Sequence, residues 1–260
     1  MTEPRSNTRG VSDADSSGHA GGLAEVSDER SNCGIGGIVD LDGSPSHGTV
    51  TDAVQLLENL EHRGTTGAEE NTGDGAGIMV ARPDAFFRDV VDADLPDEYA
   101  VGSVFMPTEP SVQAEIHDVI AEVFSVYGLE VLAWRSVPTD NADLGETALD
   151  SEPEVAQLFA APVEGAGLAE RFTDESDQDG NPEILGFDRA LYAARREIEN
   201  AVDDVDGAGR FYVCSLDRQR VVYKGLLKGS QLADYYPDLT DDRFASHVAL
   251  VHARFSTNTL

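Results

Sequence analysis

Of the 260 residues, 49 are acidic and 18 basic, for a formal net charge of −31. A field of that sign repels nucleic acid and acidic membranes, so neither is expected as a partner. Hydrophobic residues make up 40% of the chain, enough to build a core, which excludes a purely disordered acidic tail. Among the basic residues only Lys224 and Lys228 are lysines, and the carboxylates are scattered through every segment. That pattern reads as an acidic, halophilic surface, whose self-repulsion concentrated salt screens, in preference to a local acidic binding patch.

In chain order, residues 1–32 are rich in Ser, Gly, Asp and Glu and cannot bury a core; they are read as a flexible leader ahead of one globular domain, residues 33–260. The domain opens on CGIGGIVDLDG, where Ile35, Ile38, Val39 and Leu41 mark a strand closing on an Asp-Gly turn. TDAVQLLENLEHRG places Ala53, Leu56, Leu57 and Leu60 on one helical face, with Thr51 as cap and Gly64 as stop. GAGIMVA and YAVGSVFM follow as strands, then a helix from Ser111 to Tyr127, the strand LEVLAWRSV, and a helix from Phe187 to Val202. The acidic stretch 173–183 reads as a surface excursion, RFYVCSLDRQRVVYKG as a β-hairpin and HVALVHARFS as a last strand. A hairpin among mixed elements predicts an α+β fold with antiparallel sheets covered by helices. No basic-then-apolar leader and no run of about 18 apolar residues occurs, which points to the cytoplasm and against a membrane span.

Most motifs reduce to bland readings. The acidic loop mimics a calcium loop, but Gly180 at its sixth position leaves Gly186 where a bidentate glutamate belongs. Gly34, Gly36, Gly37 and Gly73, Gly75, Gly77 form no complete GxGxxG and read as tight turns or close backbone approaches. His62, His117, His247 and His252 lack metal-ligand spacing, so no metal site is expected; His117 and His252 read as packing or surface residues. Cys214, within FYVCSL, reads as a small buried hydrophobe.

Cys33 is different, since an expendable leader ends directly before it. Cleavage after Asn32 would give it a free α-amino group of pKa about 7.7 to 8.0, able to take the proton of its own thiol. One residue would then supply both nucleophile and base.

The blocks CGIGGIVDLDG, LEHRG, NTGDGAG, VYKGLLKGSQLADYYPDL and VHARFSTNT, in this order, resemble the N-terminal glutamine amidotransferase domain of the glutamate synthase large subunit. The resemblance covers about all of residues 33–260. It implies an N-terminal-nucleophile hydrolase fold, a four-layer αββα sandwich with antiparallel sheets, here incomplete at the C-terminus. It implies that Cys33 attacks the side-chain amide of glutamine, forms a glutamyl thioester and releases ammonia. By the same likeness Arg254 holds the substrate α-carboxylate, with Ser256 and Thr257 in support. His62, Arg63 and Gly64 match the HRG block that shapes the wall near the nucleophile. Asp74 is a turn former ordering the same region.

The resemblance places no cofactor in this segment; FMN and an iron-sulfur cluster belong to the complete subunit, where the ammonia meets 2-oxoglutarate and an electron donor is required. The family's Asn-Gly oxyanion block and a later aspartate lie beyond Leu260, which predicts weak or no glutaminase activity for this chain alone, since one lost oxyanion donor costs on the order of 100- to 1000-fold. The alternatives are an inactive fragment or interaction module docking to a separately encoded remainder, and an amidotransferase of the same class serving a purine or amino-sugar acceptor.

Overall fold

The structure is a computed structural model, and it describes residues 34–60, 69, 71–174, 177 and 180–253. Among the described residues the strands are β1 (Ile35–Val39), β2 (Ala76–Ala81), β3 (Ala100–Met106), β4 (Leu129–Ser136), β5 (Glu154–Pro162), β6 (Tyr212–Asp217), β7 (Arg220–Gly225) and β8 (Val248–His252). The helices interleaved with them are α1 (His47–Asn59), α2 (Asp84–Val90), α3 (Pro110–Tyr127), α4 (Glu146–Ser151), α5 (Leu168–Phe172), α6 (Pro182–Val202) and α7 (Leu232–Tyr235). Two antiparallel four-stranded sheets result, ordered β1-β8-β2-β7 and β4-β5-β3-β6. The α+β class with paired antiparallel sheets is the one the sequence implies.

One face of each sheet looks into a shared core. Ile78, Tyr223 and Val251 lie side by side on the first sheet, Val101 and Phe159 side by side on the second, and Phe86, Phe87 and Phe244 fill the space between. Helix α1 closes the same core through Val50, Ala53 and Leu57. The other face of the second sheet carries Val104, Leu158 and Ala160 against Ile116, Ile120 and Phe124 of α3 and Phe187, Leu191 and Ile198 of α6. Strand β1 shows the period-two logic: Gly36 and Ile38 turn inward, while Ile35 (74% exposed) and Val39 (58%) face out.

Several expectations need correction. The supposed hairpin is none: β6 pairs with β3 and β7 with β2, so Arg218 and Gln219 carry the chain from one sheet to the other. Asp217 makes the corner, its Oδ1 accepting from the amides of Gln219 (2.7 Å) and Arg220 (3.1 Å). Helix α1 is capped by Ser46, whose hydroxyl accepts from the Thr49 amide at 3.2 Å, while Thr51 lies a turn inside and donates to the His47 carbonyl. Its expected stop, Gly64, is outside the described residues.

Helix α6 begins at Pro182 with Asn181 as cap, five residues before the expected start, so the end of the acidic excursion is a helix start. Within that excursion Arg189 grips Asp177 with two hydrogen bonds of 2.6 Å, which gives that carboxylate a cation of its own. Strand β5 and the short helices α2, α4, α5 and α7 were not foreseen.

Candidate functional site at one rim of the first sheet

The antiparallel register brings four of the five marked sequence blocks to one end of the first sheet. Ile35 pairs with His252, His252 with Gly77, and Gly77 with Lys224, so four separate blocks share one row. One step further toward the rim, the Ala253 amide donates to the Gly34 carbonyl at 2.8 Å and Ala76 pairs with Gly225. Gly34 and Ala253 are both buried. They are the residues covalently attached to Cys33 and Arg254.

Of the sequence-predicted site residues, only Asp74 lies among the described ones. It sits half-buried in the connection entering β2, between Gly73 and Gly75. Gly75 has φ +113°, a conformation that side chains resist. Cys33, His62, Arg63, Gly64, Arg254, Ser256 and Thr257 all lie outside the described residues.

The loops around Asp74 are locked together backbone against backbone. A Cβ added to Gly73 would lie 2.5 Å from the Lys228 amide nitrogen and closer still to the Leu227 carbonyl, so only glycine fits. Gly77 is likewise covered, its absent Cβ lying 2.7 Å from His252 Nε2 and 2.7 Å from Lys224 Cβ. The glycines at these two positions serve close approach, as their incomplete nucleotide pattern suggests.

Gln231, missed from the sequence, ties the rim loops to one another. Its side chain is buried; Oε1 accepts from the Lys228 amide at 2.8 Å, and Nε2 donates to the carbonyls of Asp143 (2.6 Å) and Asn71 (3.2 Å). Glu69 adds a second tie, accepting from the Thr147 amide and hydroxyl and from the Thr72 hydroxyl. Those bonds hold its carboxyl below the usual carboxylate range, the Thr147 amide being the largest influence.

Behind the rim an ion pair crosses the core. Arg135 of β4 forms two hydrogen bonds of 2.7 Å to Asp238 and a third, 2.9 Å, to Gln157 of β5. Tyr223 of β7 donates to Asp238 at 2.8 Å and accepts from Gln157 at 2.9 Å. Burial drives the Tyr223 hydroxyl well above the ordinary tyrosine range, and the adjacent Asp238 carboxylate pushes the same way. Burial opposes charge on Arg135, but its bonds to Asp238 more than offset this and raise it. YKG and YYPDL, contributing Tyr223 and Asp238, thus meet in a polar cross-link between the sheets.

A cavity of about 260 Å³ adjoins the rim, sharing residues 225–227 and lined further by Phe105, Val155, Ala148 and Tyr235. Its polar groups have local partners: the Tyr235 hydroxyl donates to Glu152 Oε1, and Arg210 donates to the carbonyls of Asp150 and Glu152. Cys214 is partly covered on β6, and burial pushes its thiol up to about 12, which suits packing and not nucleophilic attack. His117, half-buried, stacks on Trp134 with ring centroids 4.0 Å apart, and burial lowers its pKa.

The family model described as "Glutamine amidotransferases class-II" matches residues 33–260. The chain is 39% identical over 236 residues to a glutamate synthase [NADH] of Schizosaccharomyces pombe, covering 89% of this chain and 11% of that protein. It is 39% identical over 245 residues to the glutamate synthase [NADPH] large chain of Bacillus subtilis, covering 92% and 15%. It is 35% identical over 242 residues to ferredoxin-dependent glutamate synthase 1 of Arabidopsis thaliana, covering 91% and 14%. The chain therefore spans 11 to 15% of the length of these relatives. With four of its marked blocks gathered at one sheet end and the family model running over residues 33–260, the chain belongs to the class-II glutamine amidotransferases, as a domain matching the N-terminal part of glutamate synthase.

Proposed function

We propose that this domain hydrolyses glutamine to glutamate and ammonia, with Cys33 as the nucleophile once residues 1–32 have been removed. The supporting observation is the hydrogen bond from Ala253 to Gly34, which makes neighbours of the residues bonded to Arg254 and Cys33. The freed α-amine takes the thiol proton, and the thiolate adds to the side-chain amide carbon of glutamine. The carbon–nitrogen bond breaks, the leaving nitrogen takes the proton back from the amine, and ammonia departs from a glutamyl thioester. Water then adds to the thioester, releasing glutamate and restoring the thiol. Arg254 binds the substrate α-carboxylate through two parallel hydrogen bonds, with Ser256 and Thr257 in support. His62, Arg63 and Gly64 shape the wall beside the nucleophile, and Asp74 orders the loop opposite.

In the complete protein the ammonia is passed to 2-oxoglutarate. The relatives' names specify NADH, NADPH or ferredoxin while the matched segment is the same. We therefore assign electron delivery, and the FMN and iron-sulfur cluster of the complete subunit, to the remainder of the polypeptide. With two cysteines, the chain has too few thiolates to hold an iron-sulfur cluster by itself. The proposed compartment is the cytoplasm; among the described residues no helix is long and apolar enough to cross a membrane.

The test is ammonia release from glutamine by the chain freed of residues 1–32 and supplied with the rest of a glutamate synthase large subunit. Cys33→Ser should lower that rate at least about 1000-fold while leaving ammonia-dependent glutamate synthesis intact. A native chain that keeps Met1 yet hydrolyses glutamine at full rate would refute the role of the freed amine.

A further inference from the structure

Gln231 lies outside every residue so far given a role in glutamine hydrolysis, yet its side chain touches three rim segments. Its carboxamide offers one acceptor and two donors, and the surroundings present one amide N–H and two carbonyls, a full match. The segments it joins are residue 71 at the entrance to the Asp74 turn, residue 143 ahead of α4, and residue 228 beyond β7. Asn71 O also accepts from the Gly145 amide at 3.0 Å, and Gly73 rests directly on the backbone of Leu227 and Lys228. Gly229 next packs on α1, where an added Cβ would lie 2.9 Å from the Leu57 carbonyl. One amide group thus sets the mutual position of loops that border the row of Gly34, Ala253 and Ala76.

We infer that Gln231 is a positioning residue for substrate binding, fixing the loops beside β2 and β7 at the same sheet end as the start of β1, without itself touching glutamine. This rests on the proposed role of Cys33. The inference predicts a split effect. Strand β1 is held by β8 through a ladder in which Gln231 has no part, so the nucleophile keeps its place when the loops loosen. Substrate affinity should suffer more than the limiting chemical rate. Glutamate at this position would set a carboxylate against two carbonyl oxygens, whereas its protonated form regains one donor. Leucine would take one partner each from the Lys228 amide and the carbonyls of Asp143 and Asn71.

The experiment uses the chain with residues 1–32 removed, supplied with the rest of a glutamate synthase large subunit, and a glutamine-like diazoketone that alkylates Cys33. It measures the saturation constant and the limiting rate of labelling, together with amide hydrogen exchange in residues 71–75 and 141–145. Gln231→Leu should raise the saturation constant about tenfold or more, change the limiting rate less than about threefold, and speed exchange in both loops together. Gln231→Glu, nearly isosteric and the second variant should leucine prevent folding, should recover affinity relative to Gln231→Leu as the pH falls from 8 to 5. Exchange and saturation constant both unchanged, or loops loosened with affinity intact, would overturn the inference. A wild-type chain labelled elsewhere than Cys33 overturns the reading beneath it, a result distinct from a labelled wild type with indifferent variants.

Discussion

Of the two cysteines, Cys214 lies among the described residues, and what surrounds its sulfur decides its reactivity. For Cys214 burial pushes the thiol to about 12. At pH 8 only about one molecule in ten thousand would then carry the reactive thiolate there. Because the folded pKa is raised, the contribution to stability is full below the ordinary thiol pKa of about 8.5 and is lost as pH rises toward 12. In a Cys33→Ser background, iodoacetamide at pH 8 should leave the native chain unmodified and label Cys214 only after unfolding. Rapid native labelling would show that the sulfur is in contact with water. Sequence alone was sufficient for this residue, since an apolar run around a lone cysteine already specifies a strand interior. It was not sufficient for Gln231, whose value comes from three backbone groups 88 to 160 residues distant or, for Lys228, three residues away.

At the scale of elements, the two sheets are joined by a polar cross-link where one would expect oil. Removing Asp238's cation, as in Arg135→Met, leaves a buried carboxylate uncompensated and should cost about 3–5 kcal/mol in a denaturant titration. The double variant Arg135→Met/Asp238→Leu should recover at least half of that loss, since no bare charge remains. A double variant as unstable as the single one would show that the geometry of the pair, not its charge balance, holds the sheets.

The sequence marked Tyr223 and Asp238 only as parts of recognisable blocks, because their partners on β4 and β5 are far away along the chain. β5 itself escaped notice because EVAQLFAAP is buried on both faces and shows no alternation, and its Ala, Leu, Gln and Glu favour helices in isolation. The β6–β7 connection misled for the opposite reason. Its short turn between apolar runs satisfies every local rule for a hairpin, and only the tertiary pairing sends the strands to different sheets.

For the whole molecule, charge dominates. With a net charge of −31, and with ion pairs such as Arg218 to Glu98 and Asp188 at the surface, folding concentrates repulsion that the unfolded chain spreads out. Raising potassium chloride from 0.1 to 2 M should lift the melting temperature by several degrees, at about 2–4 °C per kcal/mol for a chain of this size. A flat or falling melting temperature would show that ion pairing outweighs net repulsion. The domain class and the order of its blocks were legible because five separate segments agreed; no single residue carries that information.

The corner at Arg218 and Gln219 has a mechanical meaning. It is staked down by Asp217, by the bonds of Arg218 to Glu98 and Asp188, and by the Arg82 amide donating to the Gln219 carbonyl at 2.7 Å. Strand β7 leaves this anchor and reaches the rim six residues later, a lever of about 20 Å. At its other end the same strand is held again, where Tyr223 reaches Asp238 and Gly225 meets Ala76. Strand β7 is therefore pinned at both ends, and the rim that gathers the marked blocks takes its position from the far corner as well as from its own loops.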